Sequence, residues 1–153
     1  MINYSFEGLE EVVRKLDGVI LQGPLKKFFE RIGRSAQARI QELTPVDTGR
    51  LRGSINTTVD TASVPLWAKV STAVLYANYV ELGTRPHFPP PGALDTWARR
   101  HGFENGFVVA RIIAMKGTKA RYMFRDGLEK AKASFDGFIR TAESDIKGAW
   151  DKK

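Results

Sequence analysis

Between Leu25 and Leu43 the apolar residues Leu25, Phe28, Phe29, Ile32, Ala36, Ile40 and Leu43 recur every three or four positions, while Lys26, Arg31, Arg34 and Arg39 fall between them. At 3.6 residues per turn this spacing lays one apolar stripe along a long helix, and such a stripe must be covered by other elements. Pro45 lacks the N–H needed to continue the ladder, so the helix stops before it. Upstream, Leu9, Val12, Val13 and Leu16 repeat the spacing, and Gly23 and Pro24 read as punctuation. They predict a separate first helix near residues 7–21.

From Leu51 the period changes to two. Leu51, Gly53, Ile55, Thr57 and Val59 alternate with polar residues, as do Leu66, Ala68, Val70, Thr72 and Val74 after Pro65. Alternation puts one face of a strand in the core, so the pattern predicts an antiparallel hairpin. Tyr76, Tyr79 and Val80 return to helical spacing for one or two turns, and Gly83 follows where a helix exit needs positive φ. Pro86, Pro89, Pro90 and Pro91 make Arg85 to Gly92 an extended, exposed loop.

A helical hairpin follows over residues 93–117. Its first helix carries Leu94, Trp97, Ala98 and His101 and ends at Gly102; its second is capped by Asn105, carries Phe107, Val108, Ile112 and Met115, and ends at Gly117. The last segment repeats helical spacing through Phe124, Leu128, Ala131, Phe135, Phe138, Ile139, Ala142, Ile146 and Trp150. It predicts one long C-terminal helix, weakened by Gly127 and Gly137. The expected fold is α+β: a small antiparallel sheet packed against long N- and C-terminal amphipathic helices, with the hairpin inserted. At 153 residues the chain forms one domain, residues 1–153.

One pattern occurs twice. Gly83, Thr84, Arg85, Pro86, His87 and Phe88 echo Gly117, Thr118, Lys119, Ala120, Arg121 and Tyr122, each directly after a helical segment. Glycine supplies the turn, and cations beside a helix C-terminus complement its dipole.

Chemistry finds little purchase. Without cysteine there is neither a disulfide nor a thiolate metal site, which fits a reducing cytoplasm. Met1 to Glu11 has no basic stretch leading into an apolar run, and no stretch reaches the roughly 20 apolar residues that cross a bilayer. His87 and His101 lack the spacing of a metal site, so no metal or other cofactor is expected. Asp47, Thr48 and Gly49 spell the turn of aspartic peptidases, but a helix end and Pro45 precede it instead of an apolar strand. A turn in which Asp47 bonds nearby backbone, beside Arg50, is the simpler reading. The net charge of +7 favours an acidic partner surface, either nucleic acid or protein. Arg99, Arg100, Arg111 and Lys116 give the hairpin a basic face, but its largely apolar second helix has few side chains able to read bases.

Taken together, Thr44 to Ile55 (TPVDTGRLRGSI), Tyr76 to Thr84 (YANYVELGT) and Gly117 to Arg121 (GTKAR) resemble the siphophage tail-component family, also described as head–tail joining, neck or tail-completion proteins. Where such proteins often carry proline and phenylalanine after the second Gly-Thr, this chain has Ala120 to Phe124. The resemblance implies a non-enzymatic virion protein, assembled in the bacterial host cytoplasm, that forms a ring at the neck or head-proximal end of the tail. Implied partners are copies of itself, tail-terminator, tail-tube or head-connector proteins, and DNA in the lumen. The residues expected to form structural turns or interfaces are Asp47, Thr48, Gly49, Arg50, Tyr76, Tyr79, Glu81, Gly83, Thr84, Arg85, Pro86, His87, Gly117, Thr118 and Arg121. Glu81 is expected to brace Arg50 or the amides of the Asp47–Gly49 turn. A basic nucleic-acid-binding protein is the alternative, and an aspartic peptidase-like enzyme a third reading.

Overall fold

A computed structural model describes residues 18–60 and 66–150. In chain order these form α1 (Gly18–Leu43), α2 (Arg50–Ser54), β1 (Asn56–Asp60), β2 (Trp67–Ser71), α3 (Ala77–Leu82), α4 (Pro91–Arg100), α5 (Gly106–Lys116), α6 (Met123–Lys132) and α7 (Phe135–Trp150). The fold is α+β as expected, with a two-stranded antiparallel sheet among long helices.

Helix α1 is the centre of the packing. Its apolar stripe meets α6 and α7, while Gly33 and Gln37 beside it meet the β-hairpin and Gln41 meets the end of α2. Gly127 of α6 sits so close to Ile40 that a side chain there would force the helices apart. Thr57 Oγ1 donates to Gly33 O at 3.0 Å or to Gln37 Oε1 at 2.8 Å, seating β1 on α1. The register pairs Thr57 with Val70 and Val59 with Ala68, the half-buried face, while Thr58 and Lys69 face outward.

Four expected boundaries move, one of them at Pro91, where α4 begins inside the loop expected to run to Gly92. Gly23 and Pro24 do not end a helix: α1 runs unbroken from Gly18, with Pro24 inside it. Proline lacks one N–H, a loss that the remaining ladder and the packed stripe outweigh in a helix of 26 residues. Residues 7–17 of the expected first helix lie outside the described residues. The alternation from Leu51 to Ile55 is helical, because α2 brings Leu51 and Ile55 to the same side at i, i+4, where both are buried. Among the described residues only 56–60 and 67–71 are strands. The C-terminal segment is two helices, separated at Ala133 and Ser134, where Ser134 N bonds Ala131 O at 3.0 Å in a tighter turn. The turn redirects the chain so that both α6 and α7 pack against α1.

Helices α4 and α5 form the expected hairpin. Pro91 occupies the first turn of α4, where its missing N–H costs nothing, and Asn105 Oδ1 accepts from Val108 N at 3.2 Å to cap α5. Asp95 Oδ1 accepts from Gly106 N at 2.7 Å. His101 ends α4 by stacking on Trp97, ring centres 4.0 Å apart, with its Nδ1 against Trp97 O at 2.9 Å.

Candidate functional site: a junction of three turns

The two Gly-Thr turns form a reciprocal pair. Thr84 N donates to Thr118 O at 3.1 Å, and Thr118 N donates to Thr84 O at 3.2 Å. The hydroxyls meet at 3.0 Å, and Thr118 N also reaches Thr84 Oγ1 at 3.1 Å. Gly83 (φ 70°, ψ −176°) and Gly117 (φ 69°, ψ −159°) adopt nearly the same conformation, one that glycine alone tolerates. A Cβ on either glycine would run into the other turn's threonine carbonyl oxygen. The sequence echo is thus a physical pairing across 34 positions.

Glu81 belongs to the same junction, but it does not brace the Asp47 turn or Arg50. Its Oε2 accepts from Phe124 N at 2.9 Å and its Oε1 from Arg125 N at 3.2 Å. These are orphan donors at the start of α6, so a carboxylate 43 positions upstream caps that helix. Arg121 N and Tyr122 N add bonds to Val80 O and Glu81 O, each at 3.0 Å. They hold Tyr122 at a left-handed φ of 49°, unusual for a residue with a side chain. The Arg125 guanidinium lies 3.7 Å from the Tyr122 ring centre. Glu81→Ala is expected to destabilise the fold by about 1–2 kcal/mol, the cost of losing a cap, and Glu81→Gln by less. Urea denaturation of both variants measures this.

The Asp47 turn is engaged elsewhere. Arg100, at the end of α4, holds both carboxylate oxygens of Asp47; Nε bonds Oδ1 at 2.8 Å and Nη2 bonds Oδ2. Asp47 therefore neither closes its own turn nor pairs with Arg50, because a two-pronged guanidinium contact outcompetes a local amide. Gly49 closes the turn at φ 81°, and Thr48 Oγ1 accepts from Arg50 N at 3.4 Å, starting α2. The hydrogen bond from Arg100 holds the Asp47 carboxyl below its ordinary pKa. A lowered folded pKa stabilises the fold above the unfolded value, and this contribution is lost as pH falls through the folded one. Wild type and Asp47→Asn should thus melt differently at neutral pH and converge in acid, as pH falls through the lowered folded pKa. Both partners are partly exposed, so added salt should narrow the difference at neutral pH.

The other anticipated residues are surface features. Tyr76, Tyr79, Arg85 and Pro86 are exposed, and His87 Nδ1 lies 2.9 Å from Arg85 O. Beneath them Leu51, Ala77 and Met123 form a buried cluster, flanked by Leu43, Val74, Val80 and Phe124. This cluster draws its members from α2, α3 and α6. Among the described residues no group of three or more His, Cys, Asp or Glu is placed to hold a metal ion, and no helix is long and apolar enough to cross a membrane.

Of the large residues exposed on and beside α3 and α5, only Tyr76 and Tyr79 were anticipated. Leu75 is 90% exposed, Leu82 69%, Tyr79 63% and Met115 61%. Helix α5 buries Gly106, Val109 and Ala110 instead of the larger Phe107 and Met115. Its sequence is apolar on nearly every side, so spacing alone does not select the buried one. No family model matches the sequence, and no curated protein or solved structure is significantly similar to it.

Proposed function

We propose that this chain is a non-enzymatic assembly protein of a tailed-phage virion, forming a ring at the neck or at the head-proximal end of the tail. The observation that carries this reading is the convergence of the three segments on which the resemblance rests. Leu51, Ala77 and Met123 share one buried cluster, Thr84 pairs with Thr118, and Glu81 caps α6. A ring subunit needs a rigid hub presenting two different surfaces, because head-to-tail contacts must repeat with a fixed rotation until they close. The junction supplies the hub, and the exposed faces of α3 and α5 beside it supply a candidate contact surface for a neighbouring virion protein of a different kind. Excess positive charge suits an acidic connector or the DNA path, where phosphate contacts require no sequence reading.

Co-expression with head-connector and tail-tube proteins should yield a complex that survives purification, and a phage lacking this gene should leave filled heads separate from tails. Intact particles without the gene product would overturn the reading. Salt-sensitive DNA affinity of the isolated chain, without association with virion proteins, would favour the nucleic-acid alternative. Proteolysis lost in Asp47→Asn would favour the peptidase.

A further inference from the structure

The stretches Leu82–Leu94 and Asn105–Arg125 contain no aspartate or glutamate. They do contain Arg85, Arg111, Lys116, Lys119 and Arg121, none of which has an ion-pair partner among the described residues. The Thr84–Thr118 bridge joins these stretches just beyond the ends of α3 and α5. Phe88 then packs edge-on against Phe107 at the start of α5, ring centres 6.0 Å apart. The proline loop therefore runs beside α5 from its C-terminal end towards its N-terminal end, and α3 meets α5 through the bridge beyond their C-terminal ends.

Leu75, Tyr79, Leu82, Phe88, Phe107 and Met115 are each more than half exposed. Arg111 lies between Phe107 and Met115 on one stripe of α5, at i, i+4 and i+8.

We infer that this basic, apolar surface binds an acidic amphipathic segment of a partner protein, whose apolar side chains cover the exposed stripe and whose carboxylates meet Arg85, Arg111, Lys116 and Lys119. Charge complementarity selects this occupant. A second copy docking by the same face would oppose cation to cation with no carboxylate between them. A bilayer would have to accept Arg111 in the middle of the immersed stripe, whereas a protein can place a carboxylate opposite it. Nucleic acid would meet Arg111 and stack on Tyr79, Phe88 and Phe107, but it would leave the aliphatic Leu75, Leu82 and Met115 uncovered. The inference holds whether or not the partner is a virion component.

The test uses the full chain and a synthetic helix with leucines along one face and glutamates on the others. Fluorescence anisotropy should show saturable binding that weakens as salt rises, with little binding to the same helix carrying lysines in place of glutamates. Met115→Glu and Phe107→Glu are exposed and should keep the wild-type circular dichroism while weakening binding roughly tenfold or more. Arg111→Glu should lose affinity for the glutamate helix and gain it for the lysine helix. Equal binding of both helices by the wild-type protein would overturn the inference. So would tighter binding to anionic phosphatidylglycerol vesicles or to a single-stranded oligonucleotide. Self-association of the chain alone, abolished by Met115→Glu, would assign the surface to a second copy and also overturn it.

Discussion

Gly117→Ala is expected to lower the unfolding free energy by about 3 kcal/mol, with Gly83→Ala close behind. Two costs combine. The backbone combination of φ near 70° with extended ψ is essentially closed to residues with a Cβ, costing about 1–3 kcal/mol by itself. The added methyl also collides with a carbonyl oxygen of the opposite turn, and that oxygen is held by the bridge, so it yields only if the bridge opens. For a chain of this size the melting temperature should fall by roughly 6–12 °C, measured by thermal unfolding. Gly137→Ala is the control. No neighbouring atom lies within 4 Å of a Cβ at Gly137, which is inside α7, so alanine there should be neutral or stabilise by up to about 1 kcal/mol. In the double variant Gly83→Ala/Gly117→Ala the cost should be clearly less than additive, because the first substitution already breaks the contact the second one strains.

The long stripe of α1, the inward face of the β-hairpin, the proline loop, the α4–α5 hairpin and the Asn105 cap were legible because each depends on neighbours in sequence. The Gly-Thr echo was legible as a repeat, and its conformational demand could be stated for each glycine. Its pairing could not, since nothing local says that two turns 34 positions apart face each other. The same distance hid the work of Glu81: a cap usually sits beside the helix it serves, whereas this one is delivered from another helix. Leu51 and Ile55 show a different ambiguity, because a separation of four satisfies both period two and period 3.6, and only the surrounding packing decides. At Ala133–Ser134 the break carries no glycine or proline, so it left no local mark; the glycines that attracted suspicion lie inside helices. Asp47 was correctly placed in a turn closed by Gly49, but its partner came from the inserted hairpin, beyond any spacing rule.

Met123→Ala should cost about 3–4 kcal/mol, while Met115→Ala, also in a helix and the one of the two that apolar spacing singled out, should stay within about 0.5 kcal/mol. Met123 has no solvent exposure and packs in the cluster with Leu51 and Ala77. Truncating it removes apolar contacts on three elements and leaves a cavity they cannot readily fill. The reason is that α2 is tied to α1 by Gln41 Nε2 reaching Arg52 O and Ile55 O, each at 3.1 Å, and α6 is fixed by Glu81. Met123→Leu nearly conserves volume and should cost less than about 1.5 kcal/mol. Urea denaturation separates the cases: Met123→Ala should lower the midpoint with little change in slope, since the same surface is exposed on unfolding. The contrast with Met115 also bears on function. If Met115→Ala proved as damaging to the isolated chain as Met123→Ala, α5 would be using its outer face for the core, and the exposed apolar surface beside the junction would be unavailable to a partner.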